Sequence, residues 1–189
     1  FHLMEPHSPY LPPEPLNRFF EREYSEHEDL EINEALYHIL FSGRGSPRAE
    51  QHQAMEQLGL DREQFIEHAK GLYEGEIAYT DRALGRLVHR LRELTLLDRS
   101  LLVLTADHGE GMGEDDYWFA HGERLTNPSV RIPLFLCVPG RGAGTRRDTV
   151  SILDVAPTVL SLLGVGGLPD ARGRDLLAPM VEAFREQQM

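Results

Sequence analysis

The highest density of reactive side chains lies in the segment LTADHGEGMGEDDYWFAHG, residues 104–122. An apolar run ends there in Asp107 and His108, and a second His-Gly pair follows at His121. A carboxylate beside an imidazole on a glycine-freed turn offers the ligands that a divalent cation needs. A further histidine, His7, stands in a loop that prolines hold extended. This grouping favours a site over histidines of a core, although an Asp-His-Gly turn without a ligand is the plainer alternative.

The elements around these residues predict an α/β fold, with a mostly parallel sheet flanked by helices. Apolar residues recur at spacings of three, four or seven over residues 62–94, which indicates one long helix. Residues 101–105 form an uninterrupted apolar run, typical of a strand buried on both faces of a parallel sheet, and a second strand is predicted at 130–138. Ligands of such sheets bind outside the carboxyl ends of the strands, where Asp107 falls.

Weaker patterns complete the predicted organisation of the chain. Residues 1–4 read as a short strand, and an Asp cap followed by Pro predicts a helix over 154–163 that stops at Gly164. Residues 16–60 are acidic and irregular, either an insertion over a cleft or a solvated flank, and 170–189 is predicted to hold a terminal helix.

Composition excludes several classes of protein. The net charge of −12 argues against nucleic acid or anionic lipid as the main partner. No apolar run approaches the roughly 18 residues of a membrane span. With a single cysteine the chain forms no internal disulfide, so cysteine usage does not indicate the compartment. No export signal is evident either, and the location stays open.

Six segments resemble those of a known family, in its order and approximate spacing. They are FHLMEPHSPYLPP, YEGEIAYTDRALGRLVHRL, LLVLTADHGE, HGERL, VRIPLFLCVPG and DVAPTVLSLLG. The chain resembles sulfatase-like hydrolases of the alkaline phosphatase superfamily, which are metal-dependent sulfuryl and phosphoryl transferases. The resemblance covers nearly the whole chain and is weakest at 16–60 and after 170.

The resemblance implies roles for four side chains. Asp107 and His108 match the family's metal ligands. His7 matches the histidine that contacts the transferred group or the leaving oxygen, and His121 occupies a position that faces the sulfate or phosphate. His2 matches a histidine common in the family, although its position is also that of a packing residue. The family favours calcium as the metal, whereas a histidine ligand favours manganese or zinc.

One half of the family's pattern is not found in this sequence. Sulfatase-like enzymes carry early Asp ligands and the nucleophile, a formylglycine made from Cys or Ser or an unmodified Thr or Ser, before the PHxPY loop. We therefore expect the chain to be the C-terminal part of a sulfatase that cleaves small-molecule or glycan sulfate esters, inactive alone. Its exposed strand edge predicts self-association. The alternatives are a phosphoryl-transfer relative, such as a phosphonate or phosphate ester hydrolase or a glycerol-phosphate transferase, and a non-catalytic module.

The only cysteine lies in a misleading context. The run from Cys137 to Arg141, CVPGR, fits the formylglycine signature C-x-P-x-R. It nevertheless follows the DHG segment, whereas the family's nucleophile precedes it, and it lies at the end of an apolar strand. We therefore predict an ordinary buried cysteine rather than the nucleophile.

Overall fold

The chain forms two compact units, residues 1–141 and 142–189, in a computed structural model. Most of the acidic segment 16–60 lies outside the described residues, so its predicted role is not tested. The predicted terminal helix does not begin before residue 178, and the residues beyond 178 are also outside the description. The described residues are 2–18, 53, 56, 59, 61–114, 117–122 and 124–178.

The first unit is built on one long helix, α1, which spans Arg62–Glu93 and confirms the predicted helix. Between residues 72 and 77 its buried face is displaced by one residue from the predicted apolar stripe. The apolar spacing predicts a stripe that includes Ala69, Tyr73 and Ile77. Ala69 is buried, but Ile77 is 45% exposed, and Leu72 and Glu76 are buried in this part of the helix instead. The displacement arises because a proline-rich loop packs on this face and uses a polar group there.

That proline-rich loop, residues 5–15, lies directly on the helix surface. A Cβ atom at Gly75 would come within 2.8 Å of the Pro12 ring and would overlap the carbonyl oxygen of Leu16, so only glycine permits the approach. Residues 2–4 ahead of the loop are not in a strand, contrary to the prediction. Within the described part of the chain no strand pairs with them, and the prolines that follow offer no N–H donors to a ladder.

A two-stranded antiparallel sheet carries the segment before Asp107. Strand β1 is Leu102–Thr105, and the last strand of this unit, Leu134–Cys137, pairs with it so that Thr105 faces Leu134. The predicted parallel orientation of these two strands is therefore wrong. Parallel pairing needs a crossover back to the opposite edge, whereas here the chain after β1 returns at the edge where β1 ends.

A small hairpin follows β1. It consists of β2, Gly111–Met112, and β3, Trp118–Ala120, with an irregular register. A short helix, α2, spans Asn127–Val130 with Pro128 in its first turn, and the second predicted strand is shortened to the residues from Leu134 onward. The strand of Leu134–Cys137 is thus β4 in chain order.

The outer face of β4 is open. Its residues alternate between half-buried and exposed, and Phe135 is 64% exposed. Cys137 lies two residues further on the same face and is also exposed, so the prediction of a buried cysteine is wrong. Strand side chains alternate between faces, so Phe135 and Cys137 share the exposed face of β4.

The core of the first unit joins three parts of the chain. Tyr10 of the loop, Leu72 of α1 and Met112 of β2 are buried together, with Tyr73 and Phe119 packed against them. This cluster attaches the loop and the hairpin to the same region of the helix.

The second unit contains the predicted helix, α3, at Val155–Leu163, ended by Gly164 with φ 66°. The Asp154 carboxylate accepts the N–H groups of Ser151 and Arg174, both at 2.9 Å. Asp154 stands at the N-cap position of α3 as predicted, but its side chain makes no capping hydrogen bond to that helix. It instead completes a capping box with Ser151 on the short helical turn Ile152–Asp154 that precedes α3. Among the described residues of the whole chain, no helix is long and apolar enough to cross a membrane.

Two glycines of α1 give a matched test of the loop packing. We expect Gly75→Ala to lower the free energy of unfolding by about 1–3 kcal/mol, the usual cost of overpacking. Gly85→Ala should raise it by about 0.5–1 kcal/mol, because no atom lies within 4 Å of a Cβ built at Gly85 and alanine favours helix. Urea unfolding monitored by circular dichroism measures both. Equal changes in the two variants would contradict the described packing.

Candidate active site

Packing around Tyr10 brings two distant histidines together. Tyr10 makes edge-to-face contacts with Tyr73 of α1, at 5.4 Å between ring centroids, and with Phe119 of β3, at 6.3 Å. His7 precedes Tyr10 by three residues and His121 follows Phe119 by two. The aromatic cluster therefore places both histidines on one side of the unit.

Three histidine rings meet at this position. The rings of His108 and His121 are stacked, with centroids 3.8 Å apart and an interplanar angle of 15°. His7 approaches His121 edge-on at 5.5 Å. The three sequence-predicted histidines thus form one cluster, with His121 in the middle.

Local hydrogen bonds set the orientation of two of these rings. Nδ1 of His7 lies 2.7 Å from the carbonyl oxygen of Ser8, and Nδ1 of His108 lies 2.9 Å from that of Gly109. A carbonyl oxygen only accepts, so in each ring Nδ1 carries the proton and donates it. The Nε2 atom of each ring is left for other partners.

A buried carboxylate orients the third ring. Nδ1 of His121 lies 3.2 Å from Oε1 of Glu110, whose side chain is only 6% exposed. Glu110 also lies beside Tyr10 and Tyr73. Burial raises the pKa of both tyrosines, and the charge of Glu110 raises them further. With its Nδ1 turned to Glu110, His121 also keeps Nε2 for other partners.

Asp107 lies beside this cluster and is accessible. Its side chain is 77% exposed, and Oδ1 accepts the backbone N–H of His108 at 3.1 Å. Burial acts to raise the pKa of this carboxyl, but backbone N–H groups together with the charges of His108 and His2 outweigh it, so the pKa is lowered. Asp107 is therefore ionised at neutral pH. The influence of His2 also places that residue in the neighbourhood of the cluster.

The turn after β1 is fixed by a backbone contact with α2. The N–H of Gly109 donates to the carbonyl oxygen of Ser129 at 2.8 Å. A Cβ at Gly109 would overlap the carbonyl oxygen of Pro128. Only glycine permits this contact, which sets the direction of the side chains on both sides of it, His108 and Glu110.

A second buried carboxylate, Glu76 of α1, holds the loop of His7. It is 4% exposed, and its oxygens accept the backbone N–H groups of His7 at 3.1 Å and of Leu11 at 2.8 Å. Burial raises the pKa of Glu76 to about 7, against the effect of the two N–H donors. The charge of nearby Glu5 raises it further, whereas that of His7 lowers it.

Comparison with known sequences decides the family. The profile of the sulfatase family matches residues 1–165, most of the chain. The chain belongs to the sulfatase family. The resemblance drawn from the six sequence segments is confirmed.

Curated sulfatases match parts of the chain. A choline-sulfatase from Rhizobium meliloti (strain 1021) is 32% identical over 103 residues, which cover 54% of this chain and 20% of that protein. Arylsulfatase K from Mus musculus is 30% identical over 127 residues, 67% of this chain and 23% of that protein. This sulfatase chain therefore spans about a fifth to a quarter of the length of these relatives.

Two solved structures share the fold. The phosphonate monoester hydrolase from Silicibacter pomeroyi superposes with a TM-score of 0.61 at 22% identity, over 90% of this chain and 34% of that one. A protein in complex with its substrate D-glucosamine-2-N,6-O-disulfate gives 0.55 at 20% identity, over 94% and 46%. Both similarities confirm the α/β class and a partial alkaline-phosphatase-like domain.

Sulfatases generally depend on a divalent metal, and the Asp107–His108 pair fits part of such a site. Oδ1 of Asp107 and Nε2 of His108 are 3.7 Å apart, close enough for one ion to bind both. The Nδ1–H of His108 donates to a carbonyl, the arrangement that metal-bound histidines usually show. Among the described residues, no three His, Cys, Asp or Glu side chains are grouped to hold an ion, so the pair fits only part of a shell.

Cys137 lies away from this cluster. It pairs with Leu102 at the start of β1, three residues before the strand end that leads to Asp107. At about 3.4 Å per residue that is roughly 10 Å along the strand. Its non-catalytic role stays a prediction.

Sequence reasoning missed the roles of Glu76 and Glu110. Glu76 carries a usable signal, since it lies four residues after Leu72 and one after Gly75, so a charged residue occupies a helix face otherwise suited to burial. Glu110 directly follows the DHG turn in the sequence. Its contact with His121 depends on the hairpin register, which the sequence does not reveal.

The raised pKa of Glu76 predicts a pH-dependent stability. A carboxyl whose pKa is higher in the folded state stabilises the fold fully below its unfolded value and loses that contribution as pH rises through the folded value. The change from 4.5 to about 7 corresponds to about 3 kcal/mol at 1.36 kcal/mol per pH unit. We expect Glu76→Gln to flatten the decrease in unfolding free energy between pH 5 and pH 8, measured by urea titration.

The matched control for this experiment is Glu74→Gln, on the exposed face of α1. It should keep the wild-type pH dependence. If wild type and Glu76→Gln change in parallel between the two pH values, Glu76 does not titrate as described.

Proposed function

We propose that this chain supplies part of the active site of a metal-dependent sulfatase that hydrolyses sulfate esters. One observation carries the proposal. Three histidines from separate segments converge beside the ionised Asp107, and the Nδ1 of each is occupied by an oxygen, so three Nε2 atoms remain for substrate or metal. A core built for packing alone would not need this shared orientation.

The chemistry of sulfuryl transfer suits this arrangement. The reaction spreads negative charge over the equatorial oxygens of the transferred group, so catalysis rests on positioning and charge neutralisation. Asp107 and His108 would contribute ligands to a divalent ion, which polarises the ester oxygens and activates a nucleophile. Calcium is the metal that the family favours, and the nitrogen ligand of His108 favours manganese or zinc.

The remaining two histidines act on the anion and the leaving group. His121, oriented by Glu110, directs Nε2 toward the sulfate, where its protonated form donates to an oxyanion. His7, oriented by Ser8, contacts the transferred group or protonates the leaving alkoxide. The edge-to-face contact of the two rings supports this assignment, since two adjacent imidazoles can act on one ester group.

The substrate we propose is a small-molecule or glycan sulfate ester. The names of the relatives support this class, since they include a choline-sulfatase and an arylsulfatase. A structural neighbour is bound to a disulfated glucosamine that it uses as substrate.

A metal titration tests the first part of the proposal. We expect calorimetry with Ca²⁺, Mn²⁺ and Zn²⁺ to show binding to this chain, and Asp107→Ala combined with His108→Ala to abolish it. His89→Ala is the matched control, because His89 lies exposed on α1 in a pair with Glu93. Unchanged binding in the double variant would contradict the ligand assignment.

A turnover assay tests the second part. In the natural protein, His121→Ala should lower kcat/KM for an aryl sulfate by about 10²–10³-fold, the usual loss of an oxyanion contact, while His89→Ala leaves it unchanged. An aryl phosphate run in parallel measures selectivity. Faster turnover of the phosphate would replace the sulfatase by a phosphoryl-transfer enzyme, and no turnover of either ester would favour a non-catalytic module.

A further inference from the structure

Glu76 is a buried carboxylate whose two oxygens serve one short loop. Oε2 accepts the N–H of His7 and Oε1 accepts the N–H of Leu11, although both partners lie more than 60 residues earlier in the chain. The Thr80 hydroxyl, one turn further along α1, donates to the carbonyl oxygen of Glu5 at 3.3 Å. The helix therefore contacts the loop at His7 itself and on both sides of it, at Glu5 and Leu11.

The loop requires two hydrogen-bond acceptors from Glu76. An ionised carboxylate accepts fully at both oxygens. In a protonated carboxyl one oxygen becomes a hydroxyl, which donates and accepts only weakly, and in an amide the NH2 group only donates. The donating group of Glu76 would then face a backbone N–H, which is itself a donor, so the hydrogen bond between them would be lost or weakened. Pro6 and Pro9 have no backbone N–H, so the loop offers few other donors that could replace these two hydrogen bonds.

Packing alone would not place a charge here. Burying a carboxylate costs free energy that an apolar side chain of similar size would avoid. The titratable groups that face Glu76 are Glu5 and His7 of the loop together with Tyr10 and Tyr73 of the core. Glu5 adds like charge, and no Lys or Arg is among the groups that act on its titration. The two hydrogen bonds to backbone N–H groups are therefore the interaction that favours a carboxylate at this position.

We propose that Glu76 is the positioning residue of His7: its ionised carboxylate locks the loop of residues 7–11 against α1, and protonation releases one of the two N–H groups and loosens His7. The proposal rests on the proposed function, since it matters to catalysis only if His7 acts on the ester. Ionisation of Glu76 near neutral pH has opposite local and global effects. It completes the loop anchor while it lowers the stability of the whole fold.

Amide chemical shifts test the anchor without any turnover. In ¹H–¹⁵N spectra recorded from pH 5 to pH 9, the amide proton of Leu11 should move downfield with an inflection near pH 7 as the carboxylate forms. Leu11 is the cleaner reporter, because the His7 amide also senses its own ring. We expect this inflection to vanish in Glu76→Gln and to persist in Glu74→Gln. Unchanged amide shifts of β1 in the variants would show that the fold is intact.

The kinetic arm separates the anchor from the sulfatase activity. In the natural protein, Glu76→Gln should lower kcat for an aryl sulfate by about 10–100-fold, the range expected for a misplaced catalytic group, and should remove the rise of kcat near pH 7.

A Leu11 shift that does not titrate in wild type, or that titrates equally in Glu76→Gln, overturns the anchor. A titrating Leu11 amide with unchanged kcat in Glu76→Gln overturns the positioning of His7. A lack of turnover in wild type counts against the sulfatase function, and the Leu11 shifts still decide on the anchor.

Discussion

The close packing of a proline-rich loop on one face of α1 is the contact on which the candidate site depends. Gly75 removes the side chain that would block the approach, and Glu76 beside it supplies acceptors for the loop's backbone. Tyr10 then fills the space between the helix and the hairpin. This contact, together with that of Tyr10 with Phe119, brings His7 to the other two histidines.

A second constraint acts from the sheet side. Because β4 returns antiparallel to β1, the segment between them folds back over the strand end, where α2 contacts the backbone of Gly109. With this contact in place, the side chain of Asp107 is exposed to solvent and that of Glu110 is buried, although both belong to one turn. The same turn therefore offers an accessible metal ligand and a buried partner for His121.

The sequence predicts the long helix, its α/β setting and the grouping of the four site residues, because these depend on periodicity and on motifs of fixed spacing. It does not predict the antiparallel return of β4 or the exposure of Cys137, which depend on the pairing chosen by a connection of more than 20 residues. The displaced face of α1 has a similar cause. Apolar spacing favours Tyr73 and Ile77, whereas the loop's unpaired N–H groups require Glu76 on the buried face.

The central claim is that His7, His108 and His121 occupy one site, and nuclear Overhauser effects between their imidazole protons measure it most directly. The described geometry predicts cross-peaks between His108 and His121, whose centroids are 3.8 Å apart, and between His7 and His121, at 5.5 Å. Spectra of the folded chain that show neither cross-peak would contradict the account. A His108–His121 peak without the one to His7 would show that the loop does not bring His7 to His121 as described.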